Sequence, residues 1–144
     1  MRGRWTPKLD DKYRLTLPAK YRDELTDEVT IVRESEHCLS IYARHEFDTR
    51  LAKINDGPST VQRVRQYQRW INSNSEDLYP DKQGRITLSQ RFREWADIDK
   101  DVVLIGAGNR LEAWNPAAFE TQDADLDALF VNFDGFILPG ESTP

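Results

Sequence analysis

Apolar and polar positions alternate in two short stretches of the chain, and each stretch predicts a strand with one buried face. The first stretch is residues 14–17, Arg-Leu-Thr-Leu, and the second is residues 85–88, Arg-Ile-Thr-Leu. Turn-prone clusters precede them at residues 10–12 and 80–84. A polar turn followed by a half-buried strand is therefore predicted twice.

Further elements follow each strand in the same order. One or two helical turns come first, then a hairpin of two apolar strands, then a closing helix with apolar residues at helical spacing. The helical turns are predicted at residues 19–25 and 90–96, with Ser89 placed to cap the second, the hairpins at 29–32 with 38–42 and at 102–105 with 111–114, and the closing helices at 44–54 and 116–129. The predicted unit is strand, short helix, hairpin, helix, used twice.

A third helix is predicted between the two units, over residues 60–72, with loops before it and after it at residues 55–59 and 72–77. The last ten residues, 135–144, are expected to be mobile, and the apolar segment 130–137 is expected to dock on the protein or on a neighbouring subunit. The resulting division is residues 1–56 for the first repeat, 57–76 for the connecting helix and loop, 77–120 for the second repeat and 121–144 for the end of the last helix and the tail.

The duplication is also visible in the identity of the residues. Asp10 aligns with Asp81 at an offset of 71 residues, and the same offset aligns Arg14 with Arg85. One copy spans only about 50 residues, which is too few to bury a good core by itself. We therefore expect the two copies to pack together or with other chains.

The composition is that of a soluble globular chain, with 38% hydrophobic and 31% charged residues among 144. No apolar run approaches the roughly 20 residues needed to span a bilayer. The first residues lack the apolar stretch of a signal peptide, and Cys38 is the only cysteine. We expect a cytoplasmic protein with no internal disulfide and no membrane partner.

The net charge of −5 argues at first against nucleic acid, but it hides a segregation of charge along the chain. Residues 1–22 have a local balance of +5 and residues 61–93 one of +4, whereas residues 23–60 and 94–144 carry −5 and −9. Both repeat openings are thus basic, a pattern that can steer a polyanion to one face. A solvated surface of mixed charge is the alternative interpretation.

Candidate catalytic chemistry is sparse. Cys38 and His37 are adjacent in a predicted hairpin, so their side chains would point to opposite faces and could not exchange a proton. The cysteine and histidines lack metal-ligand spacing, and the glycines at residues 106–108 lack the lysine of a phosphate-binding loop. We expect no enzymatic activity, no metal, no cofactor and no small-molecule substrate.

The strongest chemical signal is an aspartate four residues before an arginine, found at Asp10 and Arg14 and again at Asp81 and Arg85. An ion pair that fixes the loop would explain this spacing without any ligand. The functional interpretation is that each loop presents its arginine to a DNA duplex, since the planar guanidinium can grip a phosphate or a guanine edge with two hydrogen bonds. Both interpretations are compatible, because an aspartate that orients an arginine improves its aim.

The stretch Leu-Asp-Asp-Lys-Tyr-Arg-Leu-Thr-Leu-Pro-Ala-Lys-Tyr-Arg, residues 9–22, resembles the first motif of the MraZ family of bacterial transcriptional regulators. Residues 81–86 and 103–114 resemble the second motif, and the similarity covers about residues 1–120. The resemblance implies an α+β fold of two SpoVT-AbrB-like repeats, whose strands join in a pseudo-twofold β-barrel with flanking helices.

The resemblance also implies a function and a site. Family members form homo-oligomeric rings over the nucleoid and bind tandem repeats of double-stranded DNA ahead of the division and cell-wall gene cluster, which implies regulation of the chain's own gene. The implied DNA-binding residues are Arg14 as the main contact, supported by Asp10, Lys12, Arg4, Lys8, Lys20, Asp81, Lys82 and Arg85. Tyr13 departs from the glycine common in the family, and Ser89 departs from the common proline.

Two other functions stay open at the level of the sequence. The same fold serves as the DNA-binding half of antitoxins, and the apolar segment 130–137 would then dock on a toxin partner. A scaffold that assembles without touching DNA is the remaining alternative. A toxin gene next to this one would favour the antitoxin, and division genes next to it would favour the transcriptional regulator.

Overall fold

The computed structural model describes residues 1–131, so the predicted mobile tail and most of segment 130–137 lie outside the described residues. The elements in chain order are β1 (Arg4–Trp5), β2 (Arg14–Thr16), a 3₁₀ turn (Ala19–Tyr21), β3 (Val29–Arg33), β4 (Leu39–Ala43), α1 (Arg44–Asn55), α2 (Gln62–Ser73), β5 (Ser75–Leu78), β6 (Arg85–Thr87), α3 (Gln90–Ala96), β7 (Val103–Gly106), β8 (Leu111–Trp114) and α4 (Pro116–Phe130).

Six of the strands form one antiparallel sheet in the order β1-β7-β8-β4-β3-β5. The two predicted hairpins are β3–β4 and β7–β8, and β4 pairs with β8 at the centre, with Ile41 opposite Leu111. The copies therefore share one sheet, as the small size of each copy requires. The predicted α+β class and the duplicated unit are confirmed.

The remaining strands, β2 and β6, pair with each other in a separate two-stranded ribbon. Its inward side chains are buried against one face of the sheet, in a core shared by both copies. The ribbon supplies Leu15, Leu17, Ile86 and Leu88 to this core, and the sheet supplies residues that include Ile31, Ile41, Leu104 and Leu111. The ribbon thus packs on the sheet, and the core lies between them. The hydrogen-bonded sheet itself has β1 and β5 as its edge strands.

Three helices cover the opposite face of the sheet, because strand side chains alternate between faces. Helices α1 and α2 pack on Val32 of β3 and Tyr42 of β4. Helix α4 packs on Val103 of β7 and Trp114 of β8. Helix α3 instead joins the core on the ribbon side through Phe92.

Two strands were not predicted. The prediction of a loop over residues 72–77 is wrong for its second half. Ser75–Leu78 forms β5, which pairs with β3 at one end of the sheet. Glu76 and Asp77 are exposed there, so the strand shows no apolar alternation. Strand β1 is only two residues long and shows no period at all, although Trp5 packs against the core.

The N-terminal ends of α3 and α4 differ in their capping, and only the cap at Ser89 was predicted. Ser89 does precede α3, but its hydroxyl makes no capping hydrogen bond within the described residues. Asn115, which precedes α4, does cap its helix, since its side-chain oxygen accepts a hydrogen bond of 2.9 Å from the backbone N–H of Ala118. Pro116 occupies the first turn of α4, where its missing N–H costs nothing.

Candidate nucleic-acid interface

The β2–β6 ribbon brings the two predicted arginine loops into one surface. Arg14 lies opposite Thr87, and Arg85 lies opposite Thr16. These four side chains alternate with the buried Leu15 and Ile86, so both arginines and both threonines are on the outer face of the ribbon. Flanking hydrogen bonds repeat the twofold relation, since Leu17 N–H donates to Gly84 O and Leu88 N–H donates to Tyr13 O.

Asp10 holds the first loop closed through both carboxylate oxygens. Oδ1 accepts hydrogen bonds from the backbone N–H groups of Lys12 at 3.0 Å and Arg14 at 2.9 Å. Oδ2 accepts a hydrogen bond of 2.6 Å from Nε of Arg14. These bonds lower the pKa of the Asp10 carboxyl, the backbone N–H of Arg14 having the largest effect. Asp10 is therefore charged over a wide pH range and fixes the base of the Arg14 side chain.

Asp81 does the same in the second loop. Its Oδ1 accepts from the backbone N–H groups of Gln83 and Arg85, both at 2.9 Å, and its Oδ2 accepts from Nε of Arg85 at 2.8 Å. The pKa of the Asp81 carboxyl is lowered for the same reason, the backbone N–H of Arg85 acting most strongly. The ion pair expected from the four-residue spacing is thus present in both loops.

The carboxylates leave the outer ends of the arginines available, but to different degrees. Each aspartate occupies Nε, and within residues 1–131 no group accepts a hydrogen bond from Nη1 or Nη2 of Arg14. Nη1 of Arg85, in contrast, lies 3.8 Å from Oδ2 of Asp10. Asp10 therefore attracts both arginines, and Arg14 has the freer guanidinium.

The tips of the two loops differ at equivalent positions. Tyr13 and Gly84 both have positive φ, 59° and 72°, the left-handed region that favours glycine. An arginine from the other copy approaches each tip: the Arg93 guanidinium lies 3.5 Å from the centre of the Tyr13 ring, and the Arg22 side chain lies against Gly84. Arg22 and Arg93 are equivalent positions at the sequence offset of 71 residues. The structure shows in addition that each of them contacts the loop of the other copy.

The predicted lysines are all exposed at the surface. Lys12 and Lys82 are exposed in the two loops, and Lys20 is exposed in the 3₁₀ turn that follows β2. Lys8 is also exposed, and its Nζ is 3.8 Å from a carboxylate oxygen of Asp101. All four are exposed cations, a type of side chain suited to contacts with phosphate.

Arg4 lies elsewhere. Its neighbour Trp5 packs into the shared core, so Arg4 projects to the helical face of the sheet. There its guanidinium forms two hydrogen bonds with Asp123 of α4, at 3.0 and 3.1 Å, and lies 4.9 Å from the centre of the Phe119 ring. The local sequence does not predict this ion pair, because its partners are 119 residues apart.

Three further arginines, Arg63, Arg65 and Arg69, contribute to the basic balance of residues 61–93 but lie on α2. Helix α2 packs on the face of the sheet away from the ribbon, through Ile71. Their charge therefore does not add to the ribbon surface, although it forms part of the +4 balance of residues 61–93.

The groups considered for catalysis are engaged in structural contacts. The His37 ring stacks on Trp95 at 4.0 Å, and Cys38 is fully buried. Burial, aided by nearby carboxylates such as Glu112, raises the pKa of the Cys38 thiol. Residues 1–131 contain no cluster of potential metal ligands. Across the same residues, no helix has the length and apolar content needed to cross a membrane.

The chain is thus an α+β protein built from a duplicated unit, with one shared sheet and a ribbon that carries two aspartate-braced arginines. A family model described as "MraZ protein, putative antitoxin-like" matches residues 1–70 and 73–132. The chain belongs to the MraZ family.

Curated relatives match nearly the whole of this chain. A protein from Salinispora tropica is 41% identical over 138 residues, which are 96% of this chain and 97% of the relative. Proteins from Leifsonia xyli subsp. xyli and Micrococcus luteus are 40% and 38% identical, over 96% of each chain. All three are named "Transcriptional regulator MraZ".

Proposed function

We propose that this chain regulates transcription by binding double-stranded DNA with the outer face of the β2–β6 ribbon. The observation that carries the proposal is the pairing of β2 with β6, which puts Arg14 and Arg85 on one exposed face. A two-stranded antiparallel ribbon fits the major groove of B-DNA. The names of the relatives support the coarser statement that the chain is a transcriptional regulator.

Sequence recognition is assigned to the two arginines. Guanine presents O6 and N7 in the major groove, and the two terminal amino groups of an arginine bind both at once. Because Asp10 binds only Nε, and no other group of residues 1–131 accepts from Nη1 or Nη2, these two nitrogens of Arg14 can make that bidentate contact. Asp10 and Asp81 act as positioning residues, since they reduce the rotamer entropy that each arginine would lose on binding.

Phosphate contacts are assigned to Lys12 and Lys82 in the two ribbon loops and to Lys20 and Lys8, which are exposed and close to the first loop in sequence. Such contacts are blind to sequence and weaken with salt. Arg4 is not included, because its guanidinium is committed to Asp123 on the other face of the sheet. The negative net charge of −5 is compatible with this surface because the acidic residues are concentrated elsewhere in the chain.

The finer part of the proposal concerns assembly and target. The chain acts as a homo-oligomeric ring in the cytoplasm, at the nucleoid, on tandem short repeats upstream of the division and cell-wall gene cluster, including its own gene. Two arginines per subunit recognise only a short element, so a ring that engages several elements at once would supply the missing affinity. This part is supported by the family membership.

The test is a titration of the DNA upstream of the chain's own gene with wild type, Arg14→Ala and Arg85→Ala, at two salt concentrations. We expect Arg14→Ala to weaken binding roughly 5- to 150-fold per element, the range for losing one bidentate base contact. We expect a smaller loss for Arg85→Ala, because Nη1 of Arg85 already lies near Asp10.

Lys53→Ala is the matched control, since it removes an exposed positive charge from α1, on the face away from the ribbon. It should leave affinity unchanged. Thermal unfolding and solution mass establish that each variant is folded and assembled. Wild-type affinity of a folded Arg14→Ala protein would contradict the assignment of the site, and salt-independent binding would contradict the phosphate contacts.

A second function, an antitoxin that binds a protein partner, is favoured by two observations. Leu126 and Leu129 on α4 and Val131 directly after it are exposed, and the family description includes the words antitoxin-like. Under this function, the product of a neighbouring gene would co-purify with the chain, and Leu126→Asp would abolish that complex without changing DNA affinity. Division genes beside this one and no such complex would favour the regulator alone.

A further inference from the structure

The two ends of the β2–β6 ribbon differ by one aromatic ring. Tyr13 lies at the tip of the first loop, directly before Arg14, and is 43% exposed. The equivalent position in the second loop is Gly84, directly before Arg85. The ribbon therefore presents an aromatic side chain beside one of its two arginines and no side chain at the matching position beside the other.

The first loop adopts an unfavourable backbone conformation to place a tyrosine there. The φ angle of Tyr13 is 59°, in the left-handed region, where a residue with a Cβ is less stable than glycine. The loop closes equally well with glycine, since the N–H groups of Tyr13 and Gly84 donate to the backbone oxygens of Asp10 and Asp81, each at 2.9 Å. A strained residue that the turn does not require is evidence for a function of its side chain.

The ring of Tyr13 is held in place by the second repeat. The guanidinium of Arg93 lies 3.5 Å from the centre of the ring. Nε of Arg93 donates a hydrogen bond of 3.1 Å to the backbone oxygen of Leu88, and the N–H of Leu88 donates one of 2.9 Å to the backbone oxygen of Tyr13. Because these contacts fix the ring against the end of β6, little rotamer entropy remains to be lost when it binds a ligand.

Part of the ring is available for a contact. Arg93 covers one face, so the exposed part of the side chain is the other face, the edge and the hydroxyl group. Within residues 1–131, no group forms a hydrogen bond with the Tyr13 hydroxyl. On DNA, such a side chain can bind a phosphate through its hydroxyl or pack its ring against an apolar group of a base.

The surroundings of the ring favour the apolar contact. Tyr13 and Arg93 line an open groove together with Glu94, Asp97 and Asp99. The three carboxylates outnumber the one guanidinium, so a phosphate beside the ring would be repelled, whereas an uncharged group would not. The apolar group that a base pair presents in the major groove is the 5-methyl group of thymine.

We propose that Tyr13 recognises a thymine, by packing its ring against the 5-methyl group of the base next to the one that Arg14 reads. Consecutive Cα atoms are about 3.8 Å apart and consecutive base pairs about 3.4 Å, so neighbouring residues reach neighbouring bases. The proposal rests on the proposed DNA-binding function and adds a residue that determines specificity. Since Gly84 makes no matching contact, the two ends of the ribbon read different sequences.

The test replaces thymidines of one bound element, one at a time, by deoxyuridine, which differs from thymidine only by the missing 5-methyl group. Wild type should bind the duplex with the critical replacement about fourfold more weakly, the factor expected for one buried methyl group. Tyr13→Gly should bind the thymine and uracil duplexes equally, with the affinity of wild type for the uracil duplex. Fluorescence anisotropy measures all four affinities.

Two further variants separate the ring from general effects. Tyr13→Phe keeps the ring without the hydroxyl, so it should still distinguish thymine from uracil about fourfold. Arg85→Ala acts at the other end of the ribbon, so it should bind both duplexes more weakly but keep their ratio. Thermal unfolding of each variant establishes that it is folded, and Tyr13→Gly is expected to fold because the second loop closes with Gly84.

Three results would overturn the proposal. They are a wild type that is insensitive to every uracil, a Tyr13→Gly protein that still distinguishes thymine from uracil, and a Tyr13→Phe protein that loses the distinction. These results are separate from failure of the DNA-binding proposal. A wild type that does not bind unmodified DNA would refute both proposals, whereas one that binds it without any effect of uracil would refute only this contact.

Discussion

Tyr13 and Gly84 occupy the same place in two otherwise equivalent loops, and both adopt a left-handed backbone conformation. Glycine accepts this conformation freely, whereas a residue with a Cβ loses about 1 kcal/mol or more. At Tyr13 the stack with the Arg93 guanidinium offsets part of that cost, since an exposed cation–π contact contributes about 0.5–1 kcal/mol. The first loop is therefore strained and braced, while the second is relaxed.

Substitutions at these two positions should have unequal effects. Gly84→Ala should lower the free energy of unfolding by about 1–2 kcal/mol, because φ is positive and the new Cβ would lie 2.7 Å from Nε of Arg22. Tyr13→Gly should change it by less than about 1 kcal/mol, because relief of backbone strain opposes the loss of the Arg93 contact. Denaturant unfolding measures both. Equal losses at the two sites would show that the Tyr13 loop carries no strain.

At the scale of elements, the braced loop is one design used twice. Asp10 and Asp81 each accept two backbone hydrogen bonds and one from an arginine side chain, in loops that have the same hydrogen-bond pattern. Their lowered pKa values make the ribbon sensitive to acid. Below their ordinary value of 3.8 the unfolded chain takes up these protons first, so the stabilisation present above that pH is progressively lost as pH falls through the folded-state values.

The variant Asp10→Asn with Asp81→Asn should therefore be less stable than the wild type near neutral pH and should converge with it in acid. Thermal unfolding from about pH 6 to about pH 2.5 measures this difference. Asp99→Asn is the control, because Asp99 is exposed and forms no ion pair within the described residues. A constant gap between double variant and wild type across the range would mean that the carboxylates stabilise the loops without titrating.

At the scale of elements, the sequence pattern predicted the features that depend on interactions between residues close in the chain. The two hairpins, α1, α3 and α4, and the Asp10–Arg14 and Asp81–Arg85 ion pairs all depend on residues close in the chain. Strand β5 escaped prediction because its exposed charged residues hide the strand period. The pairing of β2 with β6 and the salt bridge from Arg4 to Asp123 depend on the tertiary fold, and periodicity contains no information about such distant partners.

For the whole molecule, the fold turns a charge pattern along the chain into a pattern in space. The ribbon carries Arg14 and Arg85 on one side of the shared core, and the helical face carries basic α2 at one end and acidic α4 at the other. This distribution leaves one basic surface, on the ribbon, that suits a polyanion. The positive charge of α2 is thereby kept apart from the ribbon.

Under the proposed function, DNA affinity depends on assembly only when several elements are present. A ring that presents several ribbons converts weak single contacts into avidity, which can raise affinity about 10²- to 10⁴-fold when the spacing of the elements matches the ribbons. We therefore expect wild type to bind a tandem array at least about 100-fold more tightly than one element, with a steeper dependence on salt because more phosphates are contacted.

The variant Arg14→Ala separates the base contact from assembly. It should lose binding to one element and to the array, because both kinds of binding use the ribbon, while its solution mass should stay that of the wild type. Fluorescence anisotropy with one element and with the array, at matched total element concentration, measures the affinity of wild type and variant for both DNAs. If the wild type bound one element as tightly as the array, avidity would be the wrong explanation, and the affinity would have to come from each ribbon alone.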